Sequence, residues 1–313
     1  MVRYATLAPS SHNTQCWRFR AAERSVAILP DFARRCPLVD PDDHHLFVSL
    51  GCAAQNLLLA AEAMGFRGEA VYDDRDGGAI RVQLEKNTPR RSPLFEAIPR
   101  RQSTRGEYDG TPLSNRELRF FEGSGCGDGV EVRLITERRE MERVLEFVVE
   151  ANRVQMRDPA FVRELKSWIR YDGREAVQRG DGLFSASSGN PTVPPFLGRL
   201  MFDLFLDEAR ETAKYSRHIR SAAGLAVFFS GGDDRARWVA AGRAFQRLAL
   251  QAEVLDVRTA HLNQPLEVAP LRASFAAAFG LGKARPDLLI RFGHGPKLPP
   301  SLRRPIDRVI EAV

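Results

Sequence analysis

An α+β fold, with its helix-and-sheet unit present twice in one chain, is predicted by three observations. Short alternating runs such as "WRFRAA" and "SVAIL" have the period of strands and are separated by a turn. Two long apolar helices are signalled, one early and one late. Their sequences, "GCAAQNLLLAAE" and "GRAFQRLALQAE", match at one constant spacing, pairing Gly51 with Gly242, Gln55 with Gln246 and Glu62 with Glu253, besides Ala53, Leu57, Leu59 and Ala61 with Ala244, Leu248, Leu250 and Ala252. Amphipathic helices share leucines without common origin, but nothing in amphipathicity demands the shared glycine, glutamine and glutamate. The expectation is a duplicated unit whose halves pack together as a pseudo-dimer, with helices around antiparallel or mixed sheets, and a chain that is a monomer because its partner is internal.

Taken in order, the strands from Trp17 and Ser25 form the opening pair. Asp40 followed by Pro41 marks a helix start, and Gly65 closes the helix whose apolar positions include Leu46, Leu50, Leu57 and Ala61. "GEAVYDD" and "AIRVQLE" are strands. The segment "KNTPRRSPLFEAIPRR" keeps no sustained period, so residues 1–95 form a first half and 96–313 a second. In the second half "VEVRLI" is a strand and "ERREMERVLEFVVEANRVQM" a helix. The stretch 158–195 mixes helical pieces with glycine, serine and proline. "LGRLMFDLFLDEARETA" is predicted as one helix, "AGLAVFFS" as a buried strand, and "DDRARWVAAGRAFQRLALQAEVLDV" as a helix capped by Asp233 or Asp234. "DLLIRFG" is the last strand.

At 313 residues and 43% hydrophobic composition the chain supplies a sizeable core. No run reaches the roughly 18 uncharged apolar residues of a spanning helix, and no basic stretch leads into an apolar one of signal-peptide type. A cytoplasmic protein without membrane attachment is expected. Cys16, Cys36, Cys52 and Cys126 have neither CxxC spacing nor a histidine at ligand spacing, so buried thiols and no metal are expected. The pair His44 and His45 lacks a third ligand in sequence and is expected at the surface. The net charge of +6 points to an anionic ligand. A nucleic-acid partner is disfavoured because "RRQSTR" and "SLRRP" carry no interleaved aromatic residues.

Those two clusters open and close the second half, each combining serine with paired guanidinium groups, the donor set that suits a phosphate. Together with "APSSHNTQCWRF", "HLNQPLEV" and "LLIRFGHGP", and with the two helix segments, the chain resembles the nitroreductase family of flavoproteins, in its fused two-lobe branch of mycobacterial Acg type. The resemblance implies a nitroreductase-like fold and FMN bound between lobes. It assigns Arg101, Ser103 and Arg105 to the phosphate-binding motif and Arg303 and Arg304 to a closing basic pair. Pro9, Ser10, Ser11 and Asn13 match the loop that contacts the flavin, and Pro265, Leu266 and Glu267 the loop whose backbone approaches flavin N5. Each half has kept what the other lost, so one FMN per chain is expected, with NAD(P)H as reductant and a nitroaromatic or quinone-like small molecule as acceptor. No side chain is needed as a nucleophile. His12 is expected as a polar contact and His261 as a turn-shaping residue. Cys16 stands where the family commonly has proline. The irregular stretch 158–195 corresponds to a lid, and a lid that stays shut would make the chain an FMN-sequestering store. A third class, a basic phosphate or nucleic-acid binder, would be marked by absence of flavin colour.

Overall fold

The computed structural model describes residues 1–311, with the side chains of residues 76 and 205 left aside. In chain order the strands are β1 (Trp17–Ala22), β2 (Ser25–Pro30), β3 (Phe66–Asp73), β4 (Ala79–Lys86), β5 (Val130–Ile135), β6 (Ile169–Arg170), β7 (Leu183–Phe184), β8 (Gly224–Ser230), β9 (Arg258–His261) and β10 (Arg285–Gly293). The helices are α1 (Val2–Ala5), α2 (His44–Ala63), α3 (Pro93–Ala97), α4 (Asn115–Gly125), α5 (Arg138–Met156), α6 (Pro159–Trp168), α7 (Gly173–Arg179), α8 (Pro195–Phe205), α9 (Glu208–Arg220), α10 (Arg235–Val254), α11 (Gln264–Glu267) and α12 (Ala269–Ala278).

The same topology occurs twice. One sheet has the order β1-β2-β4-β3 and the other β5-β8-β10-β9, and every pairing in both is antiparallel. In each, one long helix connects the second strand to the third. Those helices, α2 and α10, pack on each other, and the matched glycines mark where they cross. A methyl on Gly51 would meet the Val239 carbonyl, and one on Gly242 the Val48 carbonyl, so each glycine lets the other helix's backbone approach. The Cys52 thiol donates to the Gly242 carbonyl at 3.2 Å, and Gln246 Nε2 to Asn56 Oδ1 at 2.7 Å.

The sheets differ in cover. β3 alternates half-buried and exposed positions over Phe66–Tyr72 and β4 buried and more open ones over Ile80–Glu85, as expected where one face meets water. β10 is buried throughout because it is covered twice: Leu288, Ile290 and Phe292 join the core with α2 and α10, whereas Leu289 joins a second core with α5 and α12. The end of the chain crosses back to the first sheet. Phe19 N–H donates to Val309 at 2.7 Å and Glu311 N–H to Phe19 at 2.8 Å, placing the tail beside β1.

Several expectations need correction. α2 begins at His44, yet Asp40 does cap it: its two oxygens accept from the N–H groups of His45 and Leu46 at 3.0 and 2.9 Å. His44 and His45 are buried, at 2% and 4% exposure, because that helix start points into the core. α2 is apolar and long enough to cross a membrane by composition, but it packs as the central core helix. The single helix expected across residues 197–213 is two, α8 and α9, broken at Leu206, whose backbone is extended. Asp234, of the two cap candidates, accepts from Arg237 N–H. Helix α4 was not expected, although Ser114 and Glu117 form a reciprocal capping box.

Candidate functional site

A cavity of about 470 Å³ lies between the halves, within the size range of small-molecule sites. Helix α2 supplies Val48, Ser49 and Cys52, and α10 supplies Phe245. Of the residues anticipated from sequence, Pro9, Ser10, Ser11, Arg105 and Glu267 line it, as do His12 and His261.

The loop before β1 holds an uncommon backbone. His12, Asn13 and Gln15 have φ of 48°, 53° and 55°, a left-handed region costing of order 1 kcal/mol or more per residue without glycine. Side chains hold it there. Ser10 Oγ accepts from Gln15 N–H at 2.9 Å, Asn13 Nδ2 donates to Gly182 and Leu302 carbonyls at 3.0 Å each, and Gln15 Nε2 donates to Gly180 at 2.8 Å. Asn13 therefore braces the loop from behind, and does not line the cavity.

Arg303 has a similar place. Its Nε donates to Thr6 at 2.8 Å, its Nη1 to Asn13 Oδ1 at 3.1 Å, and its Nη2 to Leu7 and Ala8 at 3.1 Å each. Burial pulls its pKa down to about 9. Arg304 binds Gln15 through its own backbone N–H and lies 3.7 Å from Asp31. Both clamp the loop, and neither lines the cavity.

Arg101 and Arg105 are differently placed. Arg101 is 8% exposed and reaches the Leu7 carbonyl at 3.3 Å through Nη2, while its Nε and Nη1 are buried without a partner. Burial lowers its pKa to about 10. Arg105 lines the cavity and makes no hydrogen bond or ion pair with the described residues. Its pKa is lowered, chiefly by burial and partly by Arg291. Buried donors without acceptors are costly, which makes Arg101 a group suited to an incoming acceptor, although it is Arg105 and not Arg101 that lines the cavity. Ser103 bridges to Thr259 in β9 and does not reach the cavity. Pro265 and Leu266 pack in the core beside it, and only Glu267 of that loop faces in.

Sequence reasoning missed most of the opposite wall. Phe161, Leu165, Tyr171, Val193 and Phe202 come from residues 158–205, with Lys214 and Tyr215 from α9. The stretch expected as a lid thus faces the cavity, together with α8 beyond it. Its foot is sewn to the loop: Gly182 N–H donates to Asn13 at 3.2 Å, and Asp181 pairs with both Arg34 and Arg170. The Tyr171 hydroxyl is buried without a partner. His12 and His261 are held neutral, at about 4 and about 3, by burial above all and by nearby Arg105.

Asp40, His44 and His45 place ligand-type atoms within 4.8 Å of one another, the third group that sequence did not reveal. Each of the three already has protein partners. Asp40 is committed to backbone N–H groups, His44 Nε2 lies 3.0 Å from Asp287 Oδ1, and Arg272 and Arg285 line the same pocket.

No protein-family model matches the chain. Two curated proteins from strains of Mycobacterium tuberculosis, named "Putative NAD(P)H nitroreductase" MT3217 and Rv3131, are each 28% identical to it over 323 aligned positions, which cover 99% of this chain and 90% of theirs. The chain is similar to these nitroreductase-named proteins over nearly its whole length. Among solved structures, the chain is similar to an FMN-bound nitroreductase from Desulfitobacterium hafniense at 12% identity, with a TM-score of 0.45 and coverage of 72% of this chain and 100% of that one. It is also similar to the FMN-dependent nitroreductase NfnB of Mycobacterium smegmatis in complex with NADPH, at 14% identity, with a TM-score of 0.43 and coverage of 65% and 87%.

Proposed function

We propose that the cavity binds one FMN per chain and that the protein is an NAD(P)H-dependent oxidoreductase of the nitroreductase type, passing electrons to a nitroaromatic or quinone-like acceptor. The observation carrying this reading is Arg105, a guanidinium without hydrogen-bond or ion-pair partner among the described residues, on the wall of a cavity that Ser10 and Ser11 also line, with the buried, partnerless Nε and Nη1 of Arg101 outside that wall. Their chemistry fits a phosphorylated, electron-accepting ring: paired N–H donors for an anionic group, hydroxyls for polar edges, apolar walls for the ring. Bound FMN would supply hydride acceptance and donation at N5. The chain's own groups would do the rest. Arg101 and Arg105 hold fixed positive charge where negative charge collects, Ser10 and Ser11 orient the polar edge, and the α2 and α10 side chains exclude water. We further propose that the two halves, 1–95 and 96–313, descend from one duplicated unit, whose second site is degenerate.

Anaerobic titration with NADH and NADPH, following the flavin spectrum, tests the reading. Rapid bleaching is expected; a chain that stays colourless with added FMN, or binds two equivalents, overturns it. A second reading, FMN sequestration, is favoured by the sewn foot of residues 180–182 and the apolar wall of 158–205 above the cavity. Under it, the yellow protein keeps its colour against excess reductant.

A further inference from the structure

A second pocket, of about 320 Å³, adjoins the cavity, and the two share Val39, His45 and Glu267 in their walls. Only the latter two can carry a proton. His45 is fixed: Asn263 Oδ1 accepts from Leu289 N–H at 2.9 Å, so its Nδ2 is the donor toward His45 Nε2 at 3.3 Å, and the ring proton sits on Nδ1, 3.7 Å from Asp40. Glu267 is not fixed in this way. Its Oε2 accepts from Gln155 Nε2 at 2.7 Å, and its Oε1 makes no hydrogen bond with the described residues.

We propose that the Glu267 carboxyl moves protons from the side pocket into the cavity and delivers one to the acceptor as it is reduced. This rests on the oxidoreductase reading above. The balance is NAD(P)H + quinone + H⁺ giving NAD(P)⁺ + hydroquinone. The reductant provides two electrons and one hydrogen as hydride. The other hydrogen leaves Glu267 Oε1, whose O–H bond breaks as an O–H forms on the acceptor, and the carboxylate regains the H⁺ of the balance from bulk solvent by way of the side pocket. The groups around Glu267 suit a carboxyl that holds a proton. Burial raises its pKa, with Asp40 and Glu164 adding to the rise and His45 and Gln155 opposing it. Arg272 lines the side pocket, and Arg105 and Lys214 line the cavity.

The test uses the full FMN-loaded chain and Glu267→Gln with two acceptors, a benzoquinone that takes up protons and ferricyanide that takes electrons alone. The quinone-to-ferricyanide rate ratio is expected to fall about a hundredfold. A ratio that stays constant overturns the relay. Infrared difference titration of the flavin-free chain is expected to show a protonated-carboxyl band that Glu267→Gln lacks; its absence also overturns the relay. Gln155→Leu removes the donor but keeps the carboxyl, and is expected to shift that band's titration to higher pH; an unshifted titration overturns the assignment. If the chain takes up no FMN, the oxidoreductase reading and the relay fall together. If NAD(P)H bleaches the flavin while the ratio is unchanged, only the relay falls.

Discussion

At the scale of single residues, arginines near one cavity divide by what their N–H groups already hold. Arg303 spends its donors on the carbonyls of residues 6–8 and on Asn13, whereas Arg101 keeps two buried nitrogens without acceptors. Losing a charge-assisted hydrogen bond costs about 1.5–3 kcal/mol, so Arg101→Ala and Arg105→Ala are each expected to weaken FMN binding roughly tenfold to a hundredfold, measured by flavin fluorescence quenching. Unchanged affinity in both would remove these residues from the cofactor site. Arg303→Ala is expected to lower the melting temperature of the flavin-free chain, because the strained loop loses its clamp. The histidines set a pH trend. His12 and His261 stay neutral in the fold down to about 4 and about 3, against 6.5 for the unfolded chain. Their pKa values are depressed on folding, so their contribution is complete above pH 6.5 and is lost as pH falls through that range. Thermal melts should decline below pH 6.5, less steeply in His261→Gln; an equal slope in that variant counts against this account. The chemistry of the loop was legible in sequence as "PSSHN". Its left-handed backbone was not, because histidine, asparagine and glutamine give no glycine-like signal. The division of labour among the arginines was also invisible, since it depends on which carbonyls the fold brings near.

At the scale of elements, the repeat in α2 and α10 was the most informative part of the sequence, and the structure gives it a steric reason. Gly51 and Gly242 meet opposing carbonyls at the crossing, where any side chain would force the helices apart. Gly51→Ala is expected to destabilise the fold by about 3 kcal/mol, read by urea denaturation, while alanine at Gly123, where open space surrounds the added methyl, should change little. Equal effects at the two positions would contradict the crossing as described. Long helices and buried strands were legible because their periods persist over many residues. Helix α4 follows directly on a proline-rich and arginine-rich stretch and was not expected, although its capping box was present. The break at Leu206 was hidden because apolar periodicity runs on through it; α8 and α9 end up on different sides of the turn only through tertiary packing.

At the scale of the whole molecule, two sheets of like strand order meet through α2 and α10, and under the duplication proposed above the surface that a symmetric pair of chains would share lies inside one. Sedimentation of the purified protein is expected to give a single species of 35.0 kDa carrying one FMN; a stable dimer would show that the internal pairing leaves a second interface. The course of the closing segment has a bearing on the order of folding. Val309 and Glu311 hydrogen-bond to Phe19, and Arg303 grips the carbonyls of residues 6–8. Segments some 290 residues apart along the chain must therefore meet before the cavity has its shape. Until that clasp forms, the strained loop on the cavity wall has no brace from behind, so the site is among the last parts of the molecule to take its final form.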